Sequence, residues 1–218
     1  MELDVGLISG PEGEDWRVPV SELSERQERL SIALAENGLK SAIIDDPVEL
    51  YWLTGGRQNG VFLIGAEGSE IENTHWVRRS LRRAKFESGG DDSPHQTSKQ
   101  PRMGELEASL KKSGCGEKPA MLLGKVPMER WSFIDSKISS IEGKIKDCTA
   151  ILYSLREEKS DWEIEMLRES GAINKKMFEA VNDFGGFDKT ELEIASVADS
   201  VSREYGFGGR IRMRKWPM

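Results

Sequence analysis

Ser160 and Glu163 stand three residues apart at the head of Asp161-Trp162-Glu163-Ile164, and no other feature constrains the chain more. The spacing is that of a capping box. The serine oxygen accepts from the third helical N–H, and the glutamate reaches back to the cap N–H. Asp161 and Glu163 also place negative charge at the positive end of the helix dipole. The helix is predicted to run to Phe184, where Gly185-Gly186 supplies a residue tolerant of the left-handed C′ conformation. Ile164, Leu167, Gly171, Phe178 and Val181 fall on one face, and Met166, Ile173, Met177, Ala180 and Phe184 on another. A helix apolar on two faces is expected between layers rather than on a surface. A fold containing it therefore needs material on both sides.

The segments before this helix alternate helix and strand signals. Val18-Pro19-Val20-Ser21 opens a helix with Leu23, Leu30, Ala33 and Leu34 as its stripe, stopped by Gly38. Ala42-Ile43-Ile44 reads as a buried strand. In Asp46-Pro47-Val48-Glu49, Asp46 caps, Pro47 suits the first helical position and Glu49 closes a box. That short helix is predicted to reach about Leu53, ahead of Gly55-Gly56. Val61–Gly65 and Thr74–Arg79 read as strands, and a helix follows through Leu81, Ala84 and Phe86. Residues 87–102, with their Gly, Asp and Pro, read as a polar loop. Helices are expected at Gly104–Ser113 and at Pro127–Ile138, the latter with Trp131, Ile134 and Ile138 as its stripe. Strands are expected at Ala120–Leu123 and Ile145–Leu152. After the long helix, Thr190 and Glu193 open another, Asp188–Tyr205, and Arg210–Arg214 alternates with period two as a basic-faced strand. This order indicates a layered α/β domain followed by a second unit.

The balance of 31 basic against 38 acidic residues, a net charge of −7, argues against non-specific nucleic-acid binding by the whole chain. No apolar run approaches membrane-spanning length, and the first residues lack the basic-then-apolar pattern of a secretory signal. A cytoplasmic location is expected, with Cys115 and Cys148 as two reduced thiols. The only histidines, His75 and His95, have no partner at ligand spacing and read as exposed or strand-edge residues. Asp45-Asp46 and Asp91-Asp92 read as cap and loop residues; too few carboxylates sit at strand ends for a metal-dependent nuclease. Arg78, Arg79, Arg82, Arg83 and Lys85 form a basic cluster, read as a solvated face paired with local acids or, secondarily, as an anion or partner site.

Several segments resemble one family. Asp46-Pro47-Val48-Glu49-Leu50-Tyr51-Trp52-Leu53-Thr54-Gly55 resembles the "N-or-E…YLTG" segment of the creatinase/prolidase N-terminal domain. Trp76–Ala84 resembles that domain's next strand-to-helix step. Leu155-Arg156-x-x-Lys159-Ser160-x-x-Glu163-Ile164 resembles the stretch that joins it to the catalytic "pita-bread" domain, and Phe207–Trp216 resembles that domain's first strand. The resemblance implies a ribonuclease H-like layered α/β domain with a mixed sheet over residues 1–153. Residues 154–218 would then hold the linker, two helices and a strand of an incomplete, truncated pita-bread α+β domain. It implies metal-dependent hydrolysis of Xaa-Pro peptide bonds, as in Xaa-Pro aminopeptidases and prolidases, with two divalent metals (Mn or Co) held by two Asp, one His and two Glu. No position here matches those ligands, so the expectation is a non-catalytic portion, inactive alone, with no metal of its own. In family dimers a loop after the YLTG segment reaches the neighbouring subunit's active site. Here that loop is Gly56-Arg57-Gln58-Asn59-Gly60, and Arg57 is the candidate substrate-capping residue, its planar fork suited to a carboxylate. A homodimer is expected, associating through the segment after Ser154. Proline-containing peptides are expected as ligands only where a catalytic domain is present, and no nucleic-acid or membrane partner is expected. The alternative is a non-catalytic module of the same fold that binds proteins or peptides.

Overall fold

The computed structural model describes residues 15–115, 119–138 and 145–206. They fall into two compact units, Arg17–Glu158 on one side and residues 15–16 with those from Lys159 onward on the other.

In the larger unit the order is α1 (Val20–Glu36), β1 (Ser41–Ile44), α2 (Pro47–Thr54), β2 (Gly60–Gly65), β3 (Thr74–Val77), α3 (Leu81–Glu87), β4 (Gln96–Lys99), α4 (Leu106–Lys112), β5 (Pro119–Met121), α5 (Met128–Ile138), β6 (Lys146–Asp147) and α6 (Thr149–Glu157). The strands form one mixed sheet, β4-β3-β2-β1-β5-β6. β2 is antiparallel to both β1 and β3, whereas the β3–β4, β1–β5 and β5–β6 pairs are parallel. Five strands therefore point one way and β2 alone points the other.

Period-two alternation divides the sheet residues between two cores. Ala42, Ile44, Phe62, Ile64, Ala120 and Leu122 pack with Leu30 and Leu34 of α1, Leu50 and Leu53 of α2 and Leu152 of α6. Ile43, Val61, Leu63, Trp76 and Met121 pack on the opposite face with Leu106 and Leu110 of α4. The sheet is covered on both faces, which accounts for the unbroken apolar runs in β1 and β2.

Several expectations are corrected. Residues 87–102 are not simply a loop: Gln96–Lys99 forms β4, parallel to β3 at the sheet edge. Its Gln-Thr-Ser-Lys composition is that of a polar edge strand and carries no apolar alternation. The expected strand Ile145–Leu152 ends at Asp147, and helix α6 begins at Thr149. The Asp147 carboxylate accepts from the Thr149 N–H at 2.9 Å and turns the chain there. Leu152 then lands in the core on a helical rather than an extended period. β3 stops at Val77, two residues early, and Ser80 takes a left-handed φ of 60° before α3.

The second unit holds α7 (Asp161–Phe184) and α8 (Glu191–Glu204), packed on each other. Both capping boxes form as expected, Ser160 with Glu163 and Thr190 with Glu193. α8 starts three residues later than expected, beyond Asp188 at φ 63°. No residue of α7 is buried, and Leu167 and Phe178 lie largely in solvent, so its two apolar faces are not enclosed. The side chains of Trp131, Ile134 and Ile138, and the expected strand Arg210–Arg214, lie outside the described residues.

Candidate functional site

Because β2 runs against the other strands, the loop that enters it lies at the edge where the remaining strands end. Ligand sites of open α/β sheets favour that edge. A cleft of about 300 Å³ sits there, lined by Asp45, Asp46, Pro47, Asn59, Gly60, Arg78, Lys125, Val126 and Pro127. Arg57 lies on the adjoining loop.

The loop backbone is held on several sides. Gly55 ends α2 at φ 70°, and a Cβ there would come within 2.9 Å of the Glu87 carbonyl. The Arg57 N–H donates to Glu87 Oε2 at 3.3 Å, and Arg83 Nε donates to Glu87 Oε1 at 2.7 Å. Glu87 is buried, so the loop rests on a carboxylate shielded from water. The backbone of Gln58 hydrogen-bonds the His75 ring, and the Asn59 carbonyl accepts from the Arg78 N–H at 2.9 Å. The Arg57 side chain, by contrast, is exposed and makes no hydrogen bond or ion pair with any described residue.

Behind the cleft lies a charged network that sequence reasoning missed. Asp46 caps α2 as expected, accepting from the Val48 and Glu49 N–H groups at 3.0 and 3.2 Å. Glu49 does not close a box. It is fully buried, and its Oε1 takes Lys125 Nζ and Arg156 Nη1, each at 2.7 Å. Lys125 also pairs with Asp46 at 3.3 Å. Burial alone would lower the Lys125 pKa. The Glu49 hydrogen bond and the charges of Glu49 and Asp46 outweigh it and raise the pKa, so the ammonium stays charged and cannot act as a base. Glu49 belongs to the YLTG-like segment and Arg156 to the linker-like segment, 107 residues apart. No local signal marks the pair, since Glu49 reads as half of a capping box and Arg156 lies 107 residues away. Asp147 is likewise settled: burial would raise its pKa, but hydrogen bonds from Thr149 and the Leu123 N–H lower it.

The remaining candidates fall as follows. Arg78, Arg79, Arg82, Arg83 and Lys85 are all exposed, as expected of a solvated face; Arg83 pairs with Glu87, and Arg78 Nε donates to Gln100 at 3.2 Å. Asp91 and Asp92 lie on a single turn. His75 and His95 are neither exposed nor apart. Both are buried, with ring centroids 6.2 Å from each other. Burial pulls His75 down from 6.5 to about 4, and burial followed by the neighbouring His75 pulls His95 down to about 3. Position on a strand or next to one concealed this, because the groups that cover them are distant in sequence: the Gln58 backbone on His75, and Gln27 and Phe62 on His95. Cys115 and Cys148 are buried free thiols, pushed by desolvation up to about 11 and 12. Neither offers a nucleophilic thiolate. Among the described residues no three His, Cys, Asp or Glu side chains converge as metal ligands, so the family's two-metal centre finds no fit here. Nor is any helix among them long and apolar enough to cross a membrane. The arrangement sets the exposed Arg57 guanidinium on a loop beside a cleft whose Lys125 is already paired with Glu49 and Asp46.

The chain covers 84% of itself on the Xaa-Pro dipeptidase from Bacillus anthracis, with a TM-score of 0.70 at 19% identity. It covers 82% on the prolidase from Pyrococcus furiosus (TM-score 0.68, 22% identity) and 84% on the X-Pro aminopeptidase from Thermotoga maritima MSB8 (TM-score 0.69, 19% identity). It spans about half the length of each, 49%, 52% and 50% respectively. At these identities the likeness establishes the fold. No curated protein matches the chain. The family model described as the creatinase/prolidase N-terminal domain matches residues 26–157, the stretch that carries the whole six-stranded sheet. The chain belongs to the creatinase/prolidase N-terminal domain family.

Proposed function

We propose that this chain is a non-catalytic, cytoplasmic portion of an Xaa-Pro peptidase-like metallohydrolase, and that its Gly56–Gly60 loop caps the active site of a second copy with Arg57. The observation that carries this reading is the contrast within the loop. Its backbone is fixed by Glu87, His75 and Arg78, while the Arg57 guanidinium is left exposed. A rigid mount with an uncommitted planar cation suits the recognition of a substrate carboxylate supplied from outside the subunit. The metals, and the hydroxide chemistry they support in the peptidases of this family, belong to the catalytic domain. Residues 1–153 and 154–218 are taken as the N-terminal domain and the linker with the start of that domain.

The experiment has two parts. The chain is assayed on Xaa-Pro dipeptides and tripeptides with Mn²⁺ or Co²⁺; no turnover is expected, and chelator-sensitive turnover would overturn the non-catalytic reading. The same residues are then carried in one polypeptide with a prolidase catalytic domain. There Arg57→Ala should raise KM for free dipeptides more than for their amides, and an equal effect on both would remove the capping role.

A second reading, a module that binds proteins or peptides without catalysis, draws on the exposed Leu167, Phe178, Phe187 and Leu192 of the second unit. Light-scattering mass separates self-association through this segment from binding of another protein. A dimer that becomes a monomer when the chain is ended at Glu158, after α6, supports the former.

A further inference from the structure

Glu87 is the last residue of α3, and its side chain is only 2% exposed. Its place there works against the helix. A negative charge at a helix C-terminus opposes the dipole. Its partner Arg83 stands four residues before it, the weaker order for such a pair. The pairs Glu22–Arg26, Glu107–Lys111 and Asp199–Arg203 all put the acid first. Burial adds a desolvation cost to the same carboxylate. Helix stability therefore does not account for Glu87, and its remaining contacts do.

Those contacts are with three consecutive residues at the start of the Arg57 loop. The Arg57 N–H donates to Glu87 Oε2 at 3.3 Å. A Cβ on Gly56 would lie 3.1 Å from the same oxygen, and one on Gly55 2.9 Å from the Glu87 carbonyl. An arginine whose own N–H rests on a carboxylate would ordinarily fold its guanidinium onto that carboxylate too, since the planar fork pairs best there. The Arg57 guanidinium makes no hydrogen bond or ion pair with any described residue. Another guanidinium holds the place: Arg83 Nε donates to Glu87 Oε1 at 2.7 Å. Arg83 is 59% exposed, so it meets the buried carboxylate from the solvent side, the side from which Arg57 would have to reach it.

We propose that Arg83 is a positioning residue for Arg57: by holding Glu87 Oε1 it denies the carboxylate to the Arg57 guanidinium and keeps that group free for a substrate carboxylate. Glu87 seats the loop backbone, and Arg83 keeps the side chain above it uncommitted. The inference rests on the capping role proposed for Arg57 and adds to it two residues of α3, neither of which touches substrate.

The test follows the Arg57 side-chain Nε–H in ¹⁵N–¹H spectra of the full chain, assigned by its loss in Arg57→Lys. In the native chain this proton should exchange rapidly with water. In Arg83→Ala, which places the best helix former at an exposed site, it should move downfield and exchange about tenfold more slowly, as a charge-assisted hydrogen bond requires. Arg83→Met, which keeps the aliphatic stem, is run in parallel and should behave alike. Arg83→Lys returns a cation to Glu87 and should restore the native signal. In the polypeptide that carries a prolidase catalytic domain, Arg83→Ala should raise KM for free dipeptides about as far as Arg57→Ala does. It should leave KM for the amides and kcat in place, and add nothing to Arg57→Ala in the double variant. An Arg57 Nε–H unchanged in both Arg83→Ala and Arg83→Met, or slowed equally in Arg83→Lys, would overturn the proposal. A loss falling equally on dipeptides and amides would do the same, since that is what a merely structural role gives. If Arg57→Ala spares the dipeptides while Arg83→Ala still slows the Arg57 Nε–H, the capping reading fails and the positioning of Arg57 by Arg83 stands.

Discussion

Acid should destabilise the larger unit well above the pH at which carboxylates protonate. His75 and His95 are the only histidines in the chain, so no other side chain ordinarily titrates between about pH 6.5 and 5.5, and the carboxylates join only toward pH 4. Both are buried, and their pKa values fall from 6.5 to about 4 and about 3. In that window the unfolded chain binds protons that the native state refuses. Stability is therefore complete above the unfolded value of 6.5 and is lost as pH falls, the loss from His75 levelling off only once the native ring also protonates near 4. By pH 5 each unfolded imidazole is almost fully protonated while the native one is not, a loss of about 2 kcal/mol per ring and about 4 kcal/mol for the pair. Against a domain stability of roughly 5–15 kcal/mol, that is a large fraction. No carboxylate network need be invoked, since Asp147 is held below its ordinary value and contributes only at lower pH. The assay is urea unfolding at half-unit steps from pH 7.5 to 4.5. The midpoint should hold down to about pH 6.5 and then fall steeply. The double variant His75→Asn, His95→Gln should start less stable yet show a nearly flat profile. A wild-type midpoint that stays constant to pH 4.5, or an equally steep decline in the variant, would refute the reasoning.

Two further outcomes follow from the cleft. Glu49→Ala removes the anion that Lys125 and Arg156 share; both cations retain some access to water, so the cost by thermal or urea unfolding should be about 2–3 kcal/mol rather than the full penalty of a stranded buried charge. The Lys125 pKa, followed by NMR of its side chain, should fall at the same time. Gly60→Ala adds a methyl that runs into the Trp76 carbonyl and lies 3.1 Å from His75 Nε2. It should cost about 1–3 kcal/mol and raise amide exchange in Gly60–Phe62, and unchanged exchange would mean the β2–β3 pairing relaxes to admit it.

What the sequence made legible is what is local. The boxes at Ser160 and Thr190, the Asp46 cap and the Gly55 stop each need only a few neighbouring residues, and all are found in place. The apolar runs of β1 and β2 announced a sheet covered on both faces. Less legible was whatever depends on distant polar partners. Arg26 and Gln27 are buried in α1 between the apolar positions Leu23 and Leu30, because Arg26 meets the Trp52 carbonyl and Gln27 the Leu53 carbonyl. No periodicity of hydrophobic residues reveals that. Glu49 looked like half of a capping box because its true partners are Lys125 and Arg156. β4 carries an edge strand's polarity, and the two histidines were judged by sequence spacing when their separation is spatial. Arg57 was placed on its loop by resemblance, whereas Glu87, the carboxylate beneath that loop, had no local signal.

The reversed direction of β2 bears on how such a chain tolerates change. Were all six strands aligned, the segment entering β2 would lie at the far end of the sheet. Running backwards, β2 delivers residues 55–59 to the edge where β1, β3 and β5 finish, and does so from a strand in the middle of the sheet. A connection at that position is free of the sheet's hydrophobic layers. Its exposed side chains, Arg57 and Asn59, can change with little effect on folding, because it is the backbone that Glu87, His75 and Arg78 hold. The edge therefore works as an exchangeable rim on a fixed frame, where specificity can diverge among relatives faster than architecture.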